Sequence, residues 1–160
     1  MNSIILLILL LFIIYTLGIV YFDISANPNK LTNKLTNELI EEKVESLYQL
    51  LDFLHSNIPN SLKSTINKVK SIRIIPNEKE TWTQNKQIIH LVIWNPQTQQ
   101  LYDDNTLISA LIHEFAHILC PETNHTPLFL KIETTLLKLA QSSHLYYPSK
   151  PIDLTYPCEL

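Results

Sequence analysis

The chain of 160 residues has a single glycine, Gly18, and that one lies inside an apolar run. No glycine is left to supply left-handed turns in the folded part, so Asn, Asp, Ser and Pro are expected to take them. Only two cysteines occur, Cys120 and Cys158, which excludes a disulfide scaffold. No C-x-x-C pair points to a zinc ribbon. There is no basic block and no Lys/Arg stripe interleaved with aromatics, and the net charge is −3. Phosphate contacts need clustered cations, so no nucleic-acid partner is expected. Internal repeats and low-complexity segments are also absent. The length suits one domain with a modest core.

What the chain does have is first an uncharged apolar stretch over residues 4–22. A helix of that length crosses a hydrocarbon core of about 30 Å at about 1.5 Å per residue. Tyr21 and Phe22 supply aromatics near one interface. A cleaved signal peptide is the alternative. Met1-Asn2-Ser3 carries no Lys or Arg, the apolar run is long, and no clear small-residue cleavage site follows, which favours a retained anchor. Lys30 and Lys34 follow the run and no Lys or Arg precedes it, so a single-pass membrane protein with a cytoplasmic catalytic domain is expected. The expected organisation is an anchor over 1–25 and one domain over 26–160.

Beyond a short linker around Pro28, apolar residues recur at three- and four-residue steps from Leu35 through Leu54. This predicts an amphipathic helix from about Thr32 to Ser56, with Glu38, Glu41, Glu42 and Glu45 on its wet face. Residues 69–75 alternate and carry β-branched residues, predicting a strand that ends at Pro76. Thr81 to Thr83 and Gln87 to Trp94 predict a hairpin turning at Asn85-Lys86, with Ile89, Leu91 and Ile93 on one face. His90 on the other face reads as an ordinary strand residue.

Between Leu107 and Leu119 the chain carries His113-Glu114-Phe115-Ala116-His117 in an apolar run of helical character. Histidines four apart lie on one helix face, so their imidazoles can converge on one ion. Nitrogen ligands and a borderline-soft divalent ion point to Zn2+. Glu114 sits about 100° round the helix from His113. It can face a water in an open coordination position, as the general base of a metal-assisted hydrolysis. A buried helix with two histidines for other reasons would show the same five letters. Three features favour the metal: the helical setting, a cap at Asp104, and a further histidine, His125, after a short loop. Pro121 ends the helix at Cys120, and Thr126-Pro127 starts another that runs to about Gln141. With only 121–124 between them, the residue before the second helix returns close to His117. His125 is therefore the expected third ligand, with Glu122 and Glu133 as rivals and Glu133 as a partner that could orient a ligand histidine.

His113-Glu114-x-x-His117, a short loop, and His125-x-x-x-Phe129 opening a helix resemble the SprT-like and WLM-type zinc metallopeptidases. The lead-in from Tyr102 to Thr106 looks most like short, membrane-anchored members from large DNA viruses. The resemblance covers about residues 69–140. It implies a zincin-like α+β fold: a small antiparallel or mixed sheet, a metal-binding helix and flanking helices, here preceded by an N-terminal transmembrane helix. It also implies His113, His117 and His125 as ligands and Glu114 as base. Two departures stand out. Thr126 follows the third histidine where that group usually has Gly, and no zinc ribbon or DNA-binding region is present.

The expected function is a membrane-anchored zinc metallopeptidase acting on a protein or peptide substrate. The second oxyanion stabiliser is left open among His144, Tyr146, Tyr147 and Tyr156. The rival reading is a non-catalytic, zinc-stabilised binding module tethered to a membrane, its site closed by Cys120 or Glu122.

Overall fold

The computed structural model describes residues 9, 12–16, 28–69 and 71–158. The chain forms two compact units, 1–39 and 40–160. Helix α1, Pro28–Ser56, runs through the boundary. It starts earlier than the expected Thr32 because Pro at a first helical position gives up an N–H that would have no partner anyway. Leu35 and Leu39, expected on its buried face, are exposed. In the second unit Leu47, Leu50, Leu51 and Leu54 are buried at the predicted spacing. Glu41, Glu42 and Glu45 face solvent.

The expected transmembrane helix is overturned. Among the described residues no helix is long and apolar enough to cross a membrane. A span needs about 20 consecutive apolar residues, and α1, the longest described helix, carries Lys and Glu throughout. Of the stretch 4–22, only Leu9 and Phe12–Thr16 are described, and they are helical. The remainder of that stretch, and the orientation argued from it, lie outside the described residues.

The class is α+β with small sheets. A short helix α2, Asn60–Lys63, follows α1. Strands β1 (Arg73–Asn77), β2 (Trp82–Gln84) and β3 (Ile88–Val92) form a sheet in the order β1-β3-β2. β1 pairs parallel to β3 and β2 antiparallel to it, so the sheet is mixed. Strand β1 does not stop at Pro76 but runs through it, opposite Leu91. Proline is tolerated there because β1 is an edge strand. A two-stranded ribbon, β4 (Trp94–Asn95) and β5 (Gln100–Leu101), leads to the next helix.

The hairpin β2–β3 turns at Asn85 and Lys86, with φ of 51° and 53°. Both central residues are left-handed, as a tight two-residue turn requires. Gln99, Asn124 and His144 also have positive φ. Only two of these five positions carry asparagine. Without glycine the fold also uses Lys, Gln and His there, at a cost of roughly 1–2 kcal/mol per residue.

Helix α3, Asp104–Leu119, is the centre of the domain, and thirteen of its residues are buried. Its cap is Asp103, one residue before the expected Asp104. Asp103 accepts from the Thr106 N–H at 3.0 Å and the Thr106 hydroxyl at 2.6 Å. Asp104 pairs instead with Lys43 of α1 at 2.6 Å. Helix α4, Pro127–Ser142, begins with Thr126 as cap and Pro at its first position, as the sequence predicts. It packs along α3 through Phe129, Ile132, Leu136 and Ala140. Ile89 and Leu91 of β3, and Ile93 just beyond it, belong to the same core.

After α4 the chain returns over the start of α3. Asn105 accepts from the Tyr147 N–H and donates to the Lys150 carbonyl, and the Asp153 N–H donates to Thr106 Oγ1. Tyr156 then enters the core. Thr81 donates to the Tyr156 oxygen at 2.8 Å, Tyr156 donates to the Val92 carbonyl at 2.8 Å, and the Val92 N–H donates back to Thr81 at 3.0 Å. This closed ring of three bonds fixes the tail to β3. The Thr81 N–H completes the attachment by donating to the Pro157 carbonyl.

Candidate metal centre

His113 and His117 project from one face of α3, and His125 comes from the loop that joins α3 to α4. The turn in that loop is made by Asn124, at φ 66°. Thr126 has φ −71°, so the glycine usual at this place in the resembled group is not required here. The three Nε2 atoms stand 3.2 Å from one another. A tetrahedral ion with metal–nitrogen bonds of about 2.0–2.1 Å keeps its ligand atoms roughly 3.3 Å apart. The spacing and the chemistry of the three imidazoles thus fit one face of a zinc ion.

The rings are held from behind. Phe129 is fully buried, with its centroid 5.2, 4.3 and 4.8 Å from those of His113, His117 and His125. His113 Nδ1 lies 2.7 Å from Glu133 Oε1. A carboxylate can only accept, so the His113 proton sits on Nδ1 and the Nε2 lone pair faces the other two rings. Burial, then the adjoining His113 and His125 rings and the Lys86 ammonium, lower the His117 pKa to about 4, with Glu133 opposing. His117 is therefore neutral at pH 7, the form that binds metals.

Of the two rivals for third ligand, neither joins the histidines. Glu133 is engaged with His113 Nδ1 on α4, and the Glu122 carboxylate accepts from the Thr126 hydroxyl. Among the described residues no fourth His, Cys, Asp or Glu groups with all three imidazoles.

Glu114 points to the side. Its carboxylate is nearly fully buried, yet it lines the cavity onto which the histidines open. Oε2 accepts from the Thr83 hydroxyl at 2.6 Å and Oε1 from the Cys158 thiol at 3.4 Å. His113, Glu114 and Cys158 offer ligand atoms within 4.8 Å of one another. The cavity measures about 470 Å³ and lies between the hairpin segment 80–86, the histidine face of α3 and the loop 122–125.

None of His144, Tyr146, Tyr147 and Tyr156 lines this cavity. Tyr156 is held in its ring with Thr81 and Val92, and burial raises its phenol above the usual range. Thr83, Lys86 and Cys158 are the residues that sequence reasoning left without a role. No local signal marked Thr83, whose partner Glu114 lies 31 positions away. The same holds for Cys158, which lies 44 positions from Glu114. His90 stacks on Trp82 at 4.3 Å and bonds to Gln84, and it does not line the cavity.

No protein-family profile matches the chain, and no solved structure matches it. It is similar to uncharacterized protein 042R of Invertebrate iridescent virus 3, at 37% identity over 95 residues, covering 59% of this chain and 58% of that protein. It is also similar to uncharacterized protein R325 of Acanthamoeba polyphaga mimivirus, at 33% identity over 50% of this chain and 43% of that one. Uncharacterized protein 136R of Invertebrate iridescent virus 6 is 39% identical over 79 residues, 44% of its length. The matches span about half the length of these relatives.

Proposed function

We propose that this chain is a zinc-dependent metallopeptidase of viral origin, with His113, His117 and His125 as ligands and Glu114 as general base. The observation that carries this reading is the convergence of three imidazole nitrogens on an open cavity beside a buried carboxylate. The open side favours catalysis over a closed structural site, which would use a fourth protein ligand. The viral relatives support the source and leave the activity to this geometry.

Zinc bound there would supply a Lewis acid for the substrate carbonyl and lower the pKa of a water to about 7. The chain's own groups do the rest. Glu114 takes the proton of the attacking water and returns it to the leaving amine. Thr83 and Cys158 hold the carboxylate in place by donating to its two oxygens. Glu133 keeps the His113 ring in the tautomer whose Nε2 is free to bind. A protein or peptide is the substrate class this reading takes, since the histidines and Glu114 line a cavity of about 470 Å³ that opens to solvent.

The test is Glu114→Gln. It should retain zinc and fold while hydrolysis of an unstructured protein substrate falls about 10²–10⁴-fold. Loss of zinc from this variant, or hydrolysis at the wild-type rate, would contradict the assignment.

A further inference from the structure

We infer that Lys86 is a positioning residue for the metal centre, holding the His125 loop against the end of α3 so that the third imidazole meets the other two. The inference rests on the zinc reading above, and it assigns a role to a residue that contributes no ligand.

The loop has a demanding task. From His117 the chain must finish α3, reverse at 120–124 and bring His125 back to within 3.2 Å of His117. The end of α3 also leaves carbonyls with no intrahelical donor. Asn67 satisfies part of that end. Its amide donates to the Ile118 and Cys120 carbonyls, and its backbone N–H donates to the Leu119 carbonyl.

Lys86 takes the other part and does more. Its Nζ donates to the His117 carbonyl at 3.3 Å, to the Cys120 carbonyl, and to the Glu122 carbonyl at 3.0 Å. An ammonium has three donors and no acceptor, and all three are used. The three carbonyls belong to a ligand-bearing residue, to the helix end, and to the middle of the loop that carries the other ligand. A positive charge is also favoured at the negative end of a helix. The Glu122 side chain continues the tether by accepting from Thr126, whose oxygen in turn caps α4.

The hairpin explains why a lysine can do this. Lys86 is the second residue of the turn between β2 and β3, at φ 53°. That left-handed conformation is unfavourable for a residue with a Cβ, and Lys86 is half-buried rather than in solvent. The turn thus places a long cation over the helix end, between the sheet and the loop.

A plain helix cap would show the same bonds to His117 and Cys120, so the test separates the two roles. Zinc affinity is measured by chelator competition for wild type, Lys86→Met, Lys86→Arg and Asn67→Ala. Visible absorption of the Co2+-loaded forms reports the ligand geometry. Asn67→Ala removes bonds to the same helix end without touching Glu122. Lys86→Met should weaken zinc by about 10–100-fold, the range for groups that orient ligands, and change the cobalt spectrum. Lys86→Arg and Asn67→Ala should stay within a few-fold of wild type.

Lys86→Met binding zinc as wild type does, or Asn67→Ala losing as much, would overturn the inference. If Lys86→Met does not fold without metal, Lys86→Gln, which keeps a polar donor but neither the charge nor the full reach, is judged by the same criterion. Wild type that takes up neither metal overturns the ligand assignment and the inference together. Wild type that binds zinc and hydrolyses no peptide overturns the peptidase reading alone, and the affinities still decide the role of Lys86.

Discussion

His125 and Glu133 lie eight residues apart, and each could complete a metal site by its chemistry. The geometry separates their roles. His125 presents Nε2 to the two helix histidines, while Glu133 sits behind His113 on its other ring nitrogen. Removing a ligand and removing a partner that orients one should therefore differ in size. Glu133→Gln should weaken zinc by about 10–100-fold, and His125→Ala should weaken it further, with helical circular dichroism kept in both. A larger loss in Glu133→Gln would reverse the two roles. Tyr156 offers a second test at this scale. Its phenol pKa is raised, chiefly by burial. Above about pH 10 an unfolded tyrosine releases its proton while folded Tyr156 keeps it. The stability it contributes is complete below that pH and is lost as pH rises beyond it. An absorbance titration should show a tyrosine that ionises only as the near-ultraviolet dichroism collapses. In Tyr156→Phe, which leaves buried Thr81 and Val92 groups without a partner, that late step should vanish and stability should fall by about 1–3 kcal/mol.

Helix α3 shows how its elements are set by local chemistry. Asp103→Ala removes the acceptor for the first-turn Thr106 N–H and should destabilise the domain by about 0.5–2 kcal/mol in denaturant unfolding. Asp104→Ala removes only a pair with Lys43 whose acidic side chain is exposed, and should cost much less. The same helix was legible because apolar spacing, a stop at Pro121 and a motif of fixed period all agree. The helix start at Thr126-Pro127 was legible for the same reason: the cap and the proline are local signals. The tight turn at Asn85-Lys86 was legible from its place between two alternating strands. What sequence did not yield is set by tertiary contact. Asp103 and Asp104 are both competent caps; Asp103 takes the Thr106 N–H and hydroxyl, while Asp104 reaches Lys43, 61 positions away. Pro76 is compatible with β1 because, among the described residues, β1 is an edge of its sheet. Thr83, Lys86 and Cys158 reach the centre through pairings of 31 to 44 positions, which no local pattern encodes.

In the unit 40–160 the candidate metal centre draws on pieces distant in the chain: the hairpin, α3, the loop to α4, and the tail beyond Tyr156. Ligand binding to the folded state alone stabilises it by about 4 kcal/mol at a thousand times the dissociation constant. Zinc should accordingly raise the melting temperature of the wild type in proportion to the logarithm of its concentration. The rise should be absent in a His113→Ala, His117→Ala double variant. The most direct measurement is the metal content of carefully prepared wild-type protein and of His125→Ala, by elemental analysis after removal of loosely bound ions. The expected result is about one equivalent of zinc in wild type and a large loss in His125→Ala with the fold retained. Wild-type protein without stoichiometric metal, or His125→Ala with undiminished zinc, would contradict the three-histidine centre.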